Sequence, residues 1–298
     1  MDEQQLTSPL QQPPAVSSPN VSLPSSTDIL KQAWTIYKKR LRLFWGVMVI
    51  PIITAAIIWA AMLGSTFFKD GFFSSVTGSV LFVAVGFLLF VAAFVVQGWS
   101  QTALLYAIKD HQENIGVKEA YHRGWPKIIS YWWVNGLTGF IIMGGLLLLV
   151  APGIIFAVWF SLAMFILIAE DTPGMNALLK SREYARGKWG AIFERYLFIG
   201  LISLVYFLAP IFIFMILGVF LKIPFKEEIL QVVAMALNLF WAPIVIIYSF
   251  LIYNHLKALK AQVAFNPSQR KKAGFVLLAV FGFLIMPVAI FITMFVLK

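Results

Sequence analysis

Residues 128–169 read IISYWWVNGLTGFIIMGGLLLLVAPGIIFAVWFSLAMFILIA, with no charged side chain between Lys127 and Glu170. About 20 apolar residues in a helix cross the roughly 30 Å hydrocarbon core of a bilayer, so the stretch is long enough for two crossings. Near its middle, Val150-Ala151-Pro152-Gly153 offers a reversal: proline removes a backbone donor, and the glycine beside it favours a tight turn. The reading is two spans, 128–150 and 153–169, rather than one very long helix. Helices are required because an unpaired backbone group in lipid costs several kcal/mol. A barrel strand would alternate polar and apolar residues, and this run does not.

Five more apolar runs lie outward from that pair, at 43–63, 76–99, 196–221, 229–253 and 274–297. The whole composition agrees, with 60% hydrophobic and 12% charged residues against roughly half and a quarter in soluble domains. The expected class is an all-α integral membrane protein, a polytopic bundle of about seven transmembrane helices. Residues 1–27 are rich in Gln, Ser and Pro and cannot bury enough apolar surface to fold. They read as a disordered cytoplasmic tail ahead of a helical membrane domain over 28–298. The tail lacks the basic region and apolar core of a secretory signal, and its Asn20-Val21-Ser22 sequon is a chance match. The absence of cysteine rules out disulfides, thiolate nucleophiles and Cys-ligated zinc.

Orientation follows from the cations. Lys31, Lys38, Lys39, Arg40 and Arg42 precede the first span, and Lys109, Lys118, Arg123 and Lys127 precede the third. Lys180, Arg182, Arg186, Lys188 and Arg195 precede the fifth, and Lys257, Lys260, Arg270, Lys271 and Lys272 precede the seventh. Only Lys69, Lys222, Lys226 and Lys298 fall on the other side, a split of nineteen to four. The positive-inside rule puts the basic side and the amino terminus in the cytoplasm and the carboxyl terminus outside. Merging spans three and four would break this alternation. The net charge of +10 is explained by these juxtamembrane segments, so anionic phospholipid, not nucleic acid, is the expected counter-charge. The densest basic clusters, and the candidate lipid-facing ones, are Lys38, Lys39, Arg40 and Arg42, then Arg270, Lys271 and Lys272.

Three basic segments share a layout in which an amphipathic stretch leads straight into a span. The first places Ile29-Leu30, Ala33-Trp34, Tyr37, Leu41 and Phe44 at helical spacing, the second Val117, Ala120-Tyr121, Trp125, Ile128-Ile129 and Trp132, the third Met175, Leu178-Leu179, Ala185, Trp189 and Ile192-Phe193. Each reads as an interfacial elbow helix, with aromatic residues at the headgroup boundary and cations toward anionic lipid. The three weakly similar copies point to internal duplication.

Pro152-Gly153-Ile154-Ile155, Phe160-Ser161-Leu162-Ala163, Glu170, Ala177-Leu178, Lys180-Ser181, Tyr184 and Gly187 to Trp189 resemble a family signature. It is similar to the membrane domain attached to some glycerophosphoryl diester phosphodiesterases, which also occurs as stand-alone bacterial proteins. The resemblance covers residues 28–255, with Pro152, Gly153, Glu170, Ser181 and Gly187 as its structural motif. It implies a multi-pass protein of the bacterial cytoplasmic membrane. Many members carry an arginine near the position of Trp159, and the catalytic barrel of the phosphodiesterase relatives has no counterpart in this sequence. The resemblance therefore implies no phosphodiesterase activity.

Candidate chemistry is sparse. Ionisable side chains inside a bilayer mark ion pathways and catalytic groups, and the seven cores carry essentially none. The neutral polar positions are Gln97, Asn135, Thr138, Ser161, Ser203, Gln231 and Asn238. Such residues commonly bridge helices. Asn135 and Asn238, with kinks at Pro51, Pro210, Pro243 and Pro287, would centre the alternative function, a permease or channel for a neutral or amphiphilic small molecule. Glu170 and Asp171 are adjacent carboxylates, but successive residues diverge on a helix. The stronger expectation is that Glu170 accepts hydrogen bonds from Ser181, Arg182 or Arg186 and fixes the third elbow. His111, His122 and His255 lack zinc-site spacing, and Ser181 has no nucleophile elbow or His partner. The sequence thus reads as a non-enzymatic inner-membrane protein, a lipid-interacting or assembly module, with no catalytic residues, metal or cofactor. Its expected partners are anionic lipids and either a protein or a second copy of the chain.

Overall fold

The computed structural model describes residues 23–67, 76–221, 227–260, 265 and 269–296, and all regular structure among them is helical. The sequon, most of the predicted tail and the outer lysines Lys69, Lys222, Lys226 and Lys298 lie outside the described residues. The described residues begin inside the segment read as tail. Leu23 is buried, and α1 (Ser26–Lys39) opens on Ser25, whose hydroxyl accepts from the Asp28 amide at 3.2 Å and donates to the Asp28 carboxylate at 2.6 Å. This reciprocal Ser-x-x-Asp arrangement satisfies an orphan amide of the first turn.

The remaining helices then follow. They are α2 (Leu41–Phe67), α3 (Val76–Lys109), α4 (Val117–Gly124), α5 (Ile128–Leu148), α6 (Val150–Phe160) and α7 (Ala163–Ala169). After them come α8 (Met175–Ala185), α9 (Trp189–Leu221), α10 (Glu227–Leu259) and α11 (Gln269–Val296). Six helical stretches among the described residues are long and apolar enough to cross a membrane: Leu41–Ala61, Thr77–Lys109, Val117–Leu148, Val150–Ala169, Trp189–Ile216 and Val232–Leu259. The chain is a polytopic helical membrane protein. The run read as a seventh span, 274–297, falls almost wholly within the 28-residue helix α11.

Each predicted elbow is a short helix, a break and a long helix, and the three breaks differ in chemistry. Arg40 leaves helical geometry at φ −121° and ψ 23° between α1 and α2. Trp125-Pro126-Lys127 tightens into one 3-10 turn between α4 and α5. Gly187 takes φ +74°, a left-handed conformation that favours glycine, between α8 and α9. Part of each apolar stripe faces protein rather than lipid, while Trp34, Leu41, Trp125 and Ile129 of the first two stripes stay exposed. Ile29, Ala33 and Tyr37 are fully buried, Tyr37 stacking on Phe44 at 5.9 Å and meeting Phe240 of α10 edge-on at 5.4 Å. Tyr121 donates to the Val47 carbonyl at 2.7 Å, while Leu178 and Ala185 are sealed inside. Helical periodicity marks an apolar face without saying what covers it, and here the other helices cover its inner residues.

The reversal between spans three and four is also displaced. It occurs at Leu149, which is extended at φ −165° and ψ 148°, one residue before the predicted Val150-Ala151-Pro152-Gly153 turn. Pro152 instead sits in the first turn of α6, where a missing N–H leaves no helical bond unmade. Gly153 provides close approach: a Cβ there would lie 2.8 Å from the Leu146 amide and overlap the Leu146 side chain. Gly144 and Gly282 do the same where α11 crosses α5. A Cβ on Gly144 would lie 2.9 Å from the Leu278 carbonyl, and one on Gly282 would overlap the Phe140 carbonyl. The contact order, Gly144 with Leu278 and Phe140 with Gly282, makes α11 antiparallel to α5. Strict seven-span alternation expects these two neighbours to run parallel, since both follow basic segments.

Burial is uneven along the molecule. The sealed core joins α1, α7 and α8 to the basic-side halves of α2, α3 and α10, with Phe44, Leu104, Ile108, Leu167, Tyr248 and Ile252 among its fully buried side chains. Away from it the helices are exposed: the most apolar 18-residue window of α3 contains no buried residue. Val83, Phe87 and Phe90 there are each more than 60% exposed, a surface suited to lipid and not to water.

Candidate functional site at the basic end

All four basic segments meet in this packed body. Arg40 donates to the His111 carbonyl at 2.8 Å and the Ile115 carbonyl at 3.3 Å, tying the first segment to the second. Lys127 pairs with Asp171, tying the second to the third. Arg195 is buried and donates to the carbonyls of Leu23 at 3.1 Å and Pro24 at 2.6 Å, while Ser26 donates to Glu194 at 2.9 Å. Lys260 donates to the carbonyls of Glu183 and Arg186, capping the carboxyl end of α8. Burial among these groups, with Arg186 and Lys188 nearby, pulls the Lys260 pKa below its ordinary value despite Glu183.

Glu170 is the centre of the network, with its side chain only 8% exposed. Its Oε1 accepts from the Tyr253 hydroxyl at 2.7 Å and the Tyr184 hydroxyl at 2.9 Å, and its Oε2 pairs with Lys180. Lys257 stands 3.7 Å from Oε1. The expected docking of the third elbow on Glu170 is thus made by Lys180 and Tyr184, with Tyr253 of α10 added, in place of Ser181, Arg182 or Arg186. Burial alone would raise the Glu170 pKa, but the bonds from Lys180, Tyr253 and Tyr184 outweigh it and hold the carboxyl below its ordinary range. The Tyr184 phenol is pushed up in turn by burial and by the carboxylate. Asp171 turns away at φ +50°, and its side chain is 77% exposed. The adjacent acids therefore form no pair for acid–base chemistry.

Ser181 does a different job. It is fully buried, donates to the Trp159 carbonyl at 2.6 Å and accepts from the Leu162 amide at 3.2 Å, closing the gap between α6 and α7. A buried group left without its partner costs about 1–3 kcal/mol. Ser181→Ala should lower stability by about that much and loosen the α6–α7 junction, seen as faster amide exchange at Leu162. Unchanged exchange there would show that the hydroxyl is not what holds the break.

Beside Ser181 lies a cavity of about 660 Å³ lined by Ile155 and Trp159 of α6, Arg182, Glu183, Arg186 and Gly187 around the end of α8, Trp189 of α9 and Lys271 of α11. The Arg182 guanidinium lies 4.5 Å from the Trp159 ring centre and 5.6 Å from that of Phe275. Glu183 is the single carboxylate of the lining, 3.6 Å from Arg186 and 3.8 Å from Lys271. Its residues come from three separate stretches, 155–159, 182–189 and Lys271, which no local sequence pattern joins.

The other candidate residues disperse. Lys38, Lys39, Arg42 and Arg270 are exposed, Lys38 lying 4.9 Å over the Trp34 ring. Arg40 departs from the lipid-facing expectation, since backbone carbonyls take its guanidinium. Lys271 reaches Glu183, and Lys272 is half-buried. Asn135 and Asn238 both lie on exposed helix faces, with no hydrogen bond between them among the described residues. The side chain of Gln231 lies outside the described residues. The chain matches no protein-family model, no curated protein and no solved structure.

Proposed function

We propose that the chain is a non-enzymatic multi-pass protein of the bacterial cytoplasmic membrane whose basic end faces the cytoplasm and engages anionic phospholipid. The observation carrying this reading is that four separate basic segments fold into one body while Lys38, Lys39, Arg42 and Arg270 stay exposed on it. A cluster of this kind beside membrane spans gains about 1 kcal/mol per near-surface cation from an anionic leaflet. The motif resembling the phosphodiesterase-associated membrane domain supports the same placement. Its Glu170, Lys180, Ser181 and Tyr184 act together as the hinge of the third elbow.

The test is thermal unfolding of purified protein in nanodiscs of phosphatidylglycerol and of phosphatidylcholine. The anionic disc should raise the melting temperature, and the Lys38→Gln, Lys39→Gln, Arg42→Gln triple variant should lose much of the difference. Equal stability in the two lipids would overturn the reading. Intact cells and inverted membrane vesicles report topology: the sequence has no cysteine, so single cysteines at Thr35 and Lys298 can be labelled without background. The cytoplasmic basic end requires Thr35 to react only with reagent on the inner side; reaction of Lys298 from the outer side supports seven-span alternation, and reaction from the inner side supports a return of α11 antiparallel to α5.

A further inference from the structure

We infer that the cavity between α6, α8, α9 and α11 is a discrete site for one phosphate headgroup of a membrane lipid, with Arg182 as its principal ligand. The inference rests on the anionic-lipid reading above and adds a stoichiometric site to it. The lining holds three cations, Arg182, Arg186 and Lys271, against the single carboxylate of Glu183. That carboxylate stands between Arg186 and Lys271, at 3.6 and 3.8 Å, and among the described residues no carboxylate pairs with Arg182. Trp159 and Phe275 engage the guanidinium through their rings. A guanidinium held by aromatic contacts keeps N–H donors in its own plane, the arrangement that takes two phosphate oxygens at once.

A second observation is independent of charge. Trp189 lines the same cavity, and its indole Nε1 is buried with no hydrogen-bond partner among the described residues. A buried donor without an acceptor is uncommon in folded proteins and calls for an acceptor from elsewhere. A small turn of the indole toward a bound phosphate would give it one. Ile155 and the Trp159 ring give the cavity an apolar wall continuous with a membrane span, which selects an amphiphile over a free ion. Gly187 lines the cavity at the α8–α9 turn, where a Cβ would meet nothing within 4 Å.

Native mass spectrometry of protein released from mixed phosphatidylglycerol and phosphatidylcholine nanodiscs tests the site. Wild type should retain one phosphatidylglycerol through delipidation. Arg182→Gln should weaken it about tenfold or more, as expected when a charge-assisted contact is removed, and Arg182→Lys should restore part of the loss. Trp189→Phe, which keeps the ring and deletes the donor, should weaken retention less, and it carries the test if Arg182→Gln does not fold. Wild-type retention in both Arg182→Gln and Trp189→Phe would overturn the site. Displacement of the lipid by millimolar inorganic phosphate or glycerol phosphate would overturn the lipid assignment in favour of a soluble ester. The two readings fail separately. If wild type shows no anionic preference in its surrounding lipid, the general reading falls, whereas a preference that persists while Arg182→Gln keeps its bound lipid removes only the site.

Discussion

Glu170→Ala lowers the stability of the folded protein by about 3 kcal/mol or more, the cost of breaking a buried ion pair by removing one partner. The substitution strands the Lys180 ammonium, 24% exposed, and leaves the Tyr184 and Tyr253 hydroxyls without their acceptor. It also unties three elements at once, since Glu170 follows α7, Lys180 and Tyr184 belong to α8, and Tyr253 belongs to α10. Folded yield from membranes and the melting temperature both report the loss, and wild-type values for both would remove Glu170 from its structural role. The carboxyl also sets a pH dependence. Its folded pKa lies below the ordinary 4.5, so its stabilisation is complete above about that pH and is lost as pH falls through the lower folded value. Glu170→Gln should flatten the acid limb of the stability profile, and an unchanged limb would show that other carboxylates govern it.

Gly153→Val disrupts the α5–α6 hairpin. Overpacking costs about 1–3 kcal/mol where side chains can move aside, and here part of the obstacle is the Leu146 main-chain amide, 2.8 Å from a Cβ at this position. The backbone must shift, carrying Gly145 with it, whose own Cβ position is 3.0 Å from the Gly153 Cα. Loss of folded material is the expected outcome. Gly139→Ala on the same α5 is the control: a Cβ there meets nothing within 4 Å, so its yield should match wild type. If both variants fold equally well, close approach at Gly153 does not hold the hairpin.

Much of the fold was legible because hydrocarbon imposes a simple demand. Runs such as 128–169 must be helical, and the nineteen cations on one side of the alternation belong to segments that do pack together. Elbow helices were legible from period alone, and so was the importance of Glu170. What periodicity cannot carry is the identity of the neighbour. Tyr253 stands 83 residues from Glu170 inside an apolar run, and no local pattern announces that its hydroxyl is bonded. For the same reason the stripes on α1, α4 and α8 looked lipid-facing, since an apolar face is the same signal whether lipid or protein covers it. The reversal was misplaced because Pro152 marks either a turn or the first turn of a helix, and the extended residue, Leu149, has no sequence mark of its own. Ser25-Ser26-Thr27-Asp28, by contrast, carried a readable helix start that the Ser-rich tail disguised. The direction of α11 against α5 depends on which glycine meets which carbonyl, a matter of register between distant segments.

The bare outer length of α3 has a consequence for how tightly the chain is specified. Where the most apolar window of that helix touches no core, one aliphatic side chain serves as well as another, so a library that reshuffles Val83, Val85, Leu88 and Val91 among aliphatic residues should return functional clones at high frequency. The same treatment of Ala103, Leu104, Ala107 and Ile108, about three to five turns beyond Val91 on the same helix and sealed in the core, should return almost none. A single continuous helix thus passes from interchangeable text to text in which each letter counts, and deep mutational tolerance measured along α3 would draw that boundary residue by residue.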